Sequence, residues 1–151
     1  MNSNEIEGNL IEVNLRQAGA SKIIENSSAM YLVEFDLTDK LTVSYIYNIT
    51  NKEKYYLQRI KPYPIPQGKF ADEQEIVSYI TKDVNKFRNA ILSSNFQIFL
   101  DVTKNVSTVT DRIEELFLNH NVDGADLILL NDKIDTLIST IDEIRKGVKT
   151  L

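Results

Sequence analysis

One spacing rules the last third of the chain. Leu127, Leu130, Ile134, Leu137, Ile141, Ile144, Val148 and Leu151 follow one another at intervals of three and four residues, the period of an apolar seam along an α-helix. Leu127, Ile134, Ile141 and Val148 take the a positions of a heptad and the others take d. The preceding segment repeats the pattern with Val102, Val106, Val109, Ile113 and Leu116, and Phe99 can extend it. Between the two runs lies Asn119-His120-Asn121-Val122-Asp123-Gly124, with Asp123 and Asp126 placed to cap the second helix. Folding the chain about this turn brings Leu116 level with Leu127, Ile113 with Leu130, Val109 with Ile134, Val106 with Leu137 and Val102 with Ile141. Each pair joins an a to a d position, as antiparallel packing requires. An isolated helix of this length is marginal in water, whereas a buried apolar side chain contributes roughly 1.5–3 kcal/mol. The spacing therefore predicts an antiparallel helical hairpin over residues 93–151.

Apolar residues also stand off the seam. Phe117, Leu118, Val122, Ile128 and Leu129 crowd the turn end, and Ile138 continues along the last helix. Two helices alone cannot bury them, so they must pack on the rest of the chain, on a symmetry mate in a four-helix bundle, or on another protein. These six are the candidate partner-binding residues. The last helix by itself reads like a parallel dimer zipper, but the mirrored register assigns its seam to the hairpin interior, so self-association is expected to rest on the off-seam side chains.

Residues 1–92 read as a small α+β domain of order α-β-β-β-α. Residues 5–18 are ambiguous between helix and strand; Asn4 with Glu7 before Ile6, Leu10 and Val13 favours helix, which Gly19 stops. From Met30 to Lys61 the period becomes two, carried by β-branched and aromatic residues and broken at Thr38-Asp39-Lys40 and Asn51-Lys52-Glu53. This predicts a three-stranded antiparallel meander. Tyr31, Val33, Phe35 and Leu37 share one face of its first strand, and Leu41, Val43, Tyr45, Tyr47 and Ile49 one face of its second. All three prolines fall in Pro62-Tyr63-Pro64-Ile65-Pro66, which reads as an extended linker or lip. Asp72 with Glu75 then caps a helix whose Ile76, Ile80, Val84, Phe87 and Ile91 form one stripe to lay across the sheet, and Ser93-Ser94-Asn95 interrupts it. Residues 96–102 fit either a strand or a helix start.

Composition narrows the function. The chain of 151 residues has no cysteine, which removes disulfides, thiolate zinc sites and a cysteine nucleophile, and fits a reducing compartment. Its opening lacks a basic start and an apolar h-region, and no apolar run approaches the roughly 20 residues that span a bilayer; a cytoplasmic protein without membrane contact is expected. A net charge of −5 disfavours generic binding to nucleic acid or anionic lipid. The sole histidine, His120, sits in the Asn-rich turn, and no HExxH, EF-hand loop, Walker A or GxGxxG occurs. The expectation is a chain that is not an enzyme and holds no cofactor or metal. Glu34 and Asp36, beside Thr42, Ser44 and Asn48 on the polar sheet face, are read as solvated.

The one cationic stretch sets Lys52, Lys54, Arg59, Lys61 and Lys69 against Glu53, with Tyr55, Tyr56 and Tyr63 interleaved. Cations hold phosphates and aromatics stack bases, so Tyr55, Tyr56, Arg59, Lys61 and Tyr63 are the alternative, nucleic-acid or nucleotide ligand site. The α-β-β-β-α order resembles that of double-stranded RNA-binding domains, but the basic helix start of that family is replaced here by Asp72, Glu73 and Glu75. In size, acidity and α+β character the chain is also similar to secretion chaperones and to immunity or inhibitor proteins. The leading expectation is a protein–protein interaction module, an adaptor, chaperone-like or inhibitor-like, homodimeric through its C-terminal helices.

Overall fold

A computed structural model describes residues 3–25, 27–50 and 55–149, with side chains from residue 8 onward. The side chains of the Asn4/Glu7 capping pair, the turn residues Asn51, Lys52 and Glu53 with Lys54, and Leu151 lie outside what is described. The chain divides into two compact units, Met1–Phe96 and Gln97–Leu151.

The first unit opens with α1 (Ser3–Gln17), which resolves the ambiguity of residues 5–18 as helix. Its end is a backbone event. Gly19 takes φ +102, a left-handed conformation that costs glycine nothing, and Ala20 N donates to Leu15 O at 2.9 Å. Arg16 and Glu12, one turn apart, form an ion pair at 2.7 Å.

Four antiparallel strands follow: β1 (Ser28–Thr38), β2 (Leu41–Thr50), β3 (Tyr55–Lys61) and β4 (Ile65–Phe70), side by side in chain order. The sheet thus has one strand more than the sequence pattern suggests. The end of the segment read as a linker, from Ile65, opens the extra strand, which pairs Tyr55 with Phe70, Tyr56 with Lys69 and Arg59 with Ile65. Proline in a central strand would cost a ladder hydrogen bond, but β4 lies at the edge, where proline is tolerated. A bulge between Leu57 and Gln58 absorbs the irregularity, next to Gly68 at φ +90. It follows that β3 is an interior strand, protected by β4 rather than by its own lysines.

A second bulge decides which way the end of β3 points. Tyr45 pairs with Arg59, yet its neighbour Ser44 pairs with Lys61. The residue skipped on β3 reverses the alternation, so Arg59 stays on the core face with Leu57 while Lys61 turns to the other face, where its Nζ meets Glu34 at 3.3 Å.

α2 (Glu73–Ala90) covers the core face. Asp72 Oδ1 accepts from Glu75 N, and Glu75 Oε2 accepts from Ala71 N, both at 2.8 Å, the reciprocal cap anticipated from the sequence. Ile76, Ile80, Val84 and Phe87 are buried against Val43, Tyr45 and Leu57, with Val33, Phe35, Leu37 and Phe96 packed at the periphery.

The second unit consists of α3 (Phe96–Asn119, whose first residue belongs to the first unit) and α4 (Gly124–Gly147); residues 96–102 are therefore helix. Asp123 occupies the N-cap position of α4, but its backbone carbonyl, not its side chain, receives the first bonds, from Asp126 N at 3.0 Å and Leu127 N at 3.2 Å. Neither helix contains a buried residue.

Candidate functional site

The most densely wired group of side chains lies in the core of the first unit. Asp83 Oδ2 accepts from Arg59 Nη1 at 2.7 Å and from Tyr45 Oη at 2.8 Å. All three residues are buried. The guanidinium lies between two aromatic faces, 4.5 Å from the Tyr63 centroid and 4.9 Å from that of Phe87, and Arg59 Nε donates to Tyr63 O. The arrangement clamps β2, β3, α2 and the Pro-rich turn to one carboxylate. Asp83 escaped the sequence reading, although it carried a signal: it sits on the apolar stripe of α2, between Ile80 and Val84, where a carboxylate requires a partner. Burial, followed by the hydrogen bond to Asp83 and its negative charge, pushes the Tyr45 hydroxyl far above its ordinary value. Burial first, then the negative charge of Asp83, also raises Tyr79, against the opposing effect of the hydrogen bond its hydroxyl donates to Gln67. A group so enclosed holds the fold together and offers no approach to a substrate.

This geometry divides the five residues of the cationic ligand site anticipated from the sequence. Arg59 is spent on Asp83, and Tyr63 is stacked on it. Tyr55 lies on the core-facing side, its hydroxyl donating to Glu73 at 3.3 Å. Lys61 and Tyr56 lie on the opposite sheet face, Lys61 against Glu34 and Tyr56 beside Lys69 at 5.7 Å. The five residues do not converge, because the bulge after Arg59 sends the two cations to opposite faces. Among the described residues no group of three or more His, Asp or Glu side chains could hold a metal ion, and no helix is long and apolar enough to cross a membrane.

The six candidate partner-binding residues are, by contrast, accessible. Phe117, Leu118, Ile128, Leu129 and Ile138 are all more than half exposed, and Val122 is partly exposed. The seam itself is also open. Val102, Val106, Val109, Leu116, Ile134, Leu137, Ile141, Ile144 and Val148 remain 37–62% exposed, so the closed seam expected from the spacing is not what the two helices display. The packing of α3 and α4, neither of which buries a residue, thus does not confirm the antiparallel hairpin. A groove of about 360 Å³ is lined by Val109, Arg112, Ile113 and Leu116 of α3 and Leu130, Lys133, Ile134 and Leu137 of α4.

A second apolar cavity, of about 330 Å³, belongs to the first unit. Val33, Phe35, Tyr47 and Ile49 floor it from the sheet, and Ile76, Val77 and Ile80 wall it from α2. It exists because one helix, about 10–12 Å across, cannot roof four strands spaced about 4.8 Å apart.

Apolar side chains stand in water on α1, the start of β1, α3 and α4. Comparison with protein-family models, with curated proteins and with solved structures finds nothing that matches the chain.

Two predictions come from the buried group. Asp83→Asn leaves the Arg59 charge buried without a counter-charge and is expected to cost about 3–5 kcal/mol in urea unfolding, while Arg59→Met with Asp83→Leu costs less than the two single losses combined. An additive double loss would show that the pair does not act as a unit. The raised Tyr45 and Tyr79 hydroxyls keep their protons in the folded chain when the unfolded chain, near the ordinary value of 10.0, sheds them. Their contribution is fully present below pH 10 and lost as pH rises above it. Stability should therefore fall above pH 10, by up to about 1.4 kcal/mol per pH unit for each such group. Phenolate absorbance should show fewer than the 7 tyrosines titrating before the chain unfolds.

Proposed function

We propose that the chain is a non-enzymatic protein–protein interaction module that associates with a second copy of itself through α3 and α4. The observation that carries this reading is the exposure of most of both helices' apolar residues, seam and off-seam alike. In the proposed assembly two α3–α4 pairs lie together as a four-helix bundle with the seams turned inward as facing hairpins. The partner's helices fill the groove between Ile113, Leu116, Leu130 and Ile134 and cover Phe117, Leu118, Ile128, Leu129 and Ile138. Charge agrees with the seams turning inward, since Glu114, Glu115, Asp132, Asp135, Asp142 and Glu143 all lie off the seam.

Sedimentation of the full chain at micromolar concentration tests this. The wild type is expected at twice the 17.3 kDa chain mass or a higher even multiple. Phe117→Ser with Leu129→Ser removes two apolar anchors from each copy, four per dimer, worth about 1.5–3 kcal/mol each, so the dissociation constant should rise by roughly four orders of magnitude or more and the observed mass should fall to half or less. A monomeric wild type, or a double variant of unchanged mass, would dispose of the reading.

A further inference from the structure

The two edges of the sheet are not alike. The outer strand β4 carries Pro66, a bulge, Gly68 and Lys69, which are the devices that keep a sheet edge from pairing with another chain. At the other edge, β1 is 11 residues long and contains no proline, glycine or lysine. Its one register shift lies at the far end, between Asp36 and Thr38. Among the described residues no strand pairs with its outer side.

The first half of β1 is also apolar on both faces. Met30 is 69% exposed and Leu32 61%, on the face away from α2, where a solvated sheet would carry polar side chains. On the core face Tyr31, still 45% exposed, stacks on Tyr47 with ring centroids 4.9 Å apart. A long, regular strand with a free edge, apolar on both sides, is a pairing template.

We infer that β1 pairs antiparallel with β1 of a second copy, across a two-fold axis through Tyr31, to make one continuous eight-stranded sheet. Symmetry restricts the register. The axis must stand perpendicular to the sheet and pass through a residue, because only then do opposed side chains share a face. Side-chain chemistry chooses the residue. Centred on Tyr31, the pairing sets Tyr31 against Tyr31, Met30 against Leu32, Ala29 against Val33 and Ser28 against Glu34. Centred on Leu32 or Val33, it sets Glu34 against Met30 or Leu32; centred on Glu34, it sets two carboxylates face to face, which repel. In the Tyr31 register both carboxylates stay clear of each other and keep their own partners, Glu34 on Lys61 and Asp36 on the Thr42 hydroxyl at 2.7 Å. Glu34 and Asp36 then mark where the pairing ends. This surface uses no residue of α3 or α4 and is independent of association through them.

The absence of cysteine from the chain provides the test. Antiparallel neighbours directly opposite each other stand about 4.5–5.5 Å apart at Cα, inside the roughly 4.4–6.8 Å that a disulfide spans. Tyr31→Cys in the full-length protein is therefore expected to give a disulfide-linked dimer under mild oxidation at micromolar concentration. Asp36→Cys, whose two copies stand ten residues out of register, is expected to remain uncrosslinked. Met30→Cys with Leu32→Cys touches no core residue and should cross-link as Tyr31→Cys does, which covers the case in which loss of the Tyr31–Tyr47 stack disturbs the strand. Cross-linking should persist in the Phe117→Ser, Leu129→Ser variant, so failure here and failure of the helical association are told apart. Absence of cross-linking in both the Tyr31 and the Met30/Leu32 variants, or equal cross-linking of Asp36→Cys, overturns the proposal.

Discussion

The first unit depends on a single carboxylate. Asp83 rises from α2 into the core and is met there by Arg59 from β3 and Tyr45 from β2. Such a group is costly to bury, and its cost is offset only when every charge and lone pair is answered. The need for complete satisfaction fixes three elements in one geometry: β2 and β3 in their register, α2 in its rotation above them, and the Tyr63 ring over the guanidinium. A purely apolar interface between α2 and the sheet would tolerate sliding by a turn or a residue pair. The ion pair tolerates neither, and so it supplies specificity that the shared apolar stripe alone does not.

How far the sequence foretold this depends on the type of signal. The stripe of α2 and its Asp72/Glu75 cap were legible because helix period and capping are local, and the faces of β1 and β2 were legible because alternation is local too. The fourth strand was hidden by Pro62, Pro64 and Pro66, which argue against a strand until its place at the sheet edge is known; edge or centre is a property of the whole sheet. The fate of Arg59 was hidden by a bulge one residue long. Strict alternation gives Arg59 and Lys61 one face, and only the pairing of Ser44 with Lys61 reveals that they part. Asp83 could have been singled out as the one acid on an apolar stripe, but its partners lie 24 and 38 residues away in sequence, beyond the range of any periodic pattern.

The C-terminal helices present the converse case. Their periodicity is the plainest feature of the chain, and it correctly marks two long helices joined by a short turn. Periodicity specifies which face of a helix is apolar; it does not specify what covers that face. Val106 and Ile141 keep their heptad positions and are still half exposed. Local pattern thus determined the elements of this unit, while burial, a property of how elements pack, was left open.

The same distinction between pattern and cover separates the two halves of β1. From Val33 onward its odd-numbered side chains lean on the core beneath α2, and its even positions carry carboxylates tied to β2 and β3; this half is completed within the chain. From Ser28 to Leu32 neither face is completed. Self-association through this edge and through α3 and α4 would use two different two-fold axes on one chain. Two such axes close into a tetramer when they intersect at right angles, into a larger closed ring when they intersect at another simple fraction of a half-turn, and otherwise generate an open, extending array. The size distribution of the assembly is therefore a geometric readout of how the two surfaces are oriented, beyond the affinity of either one.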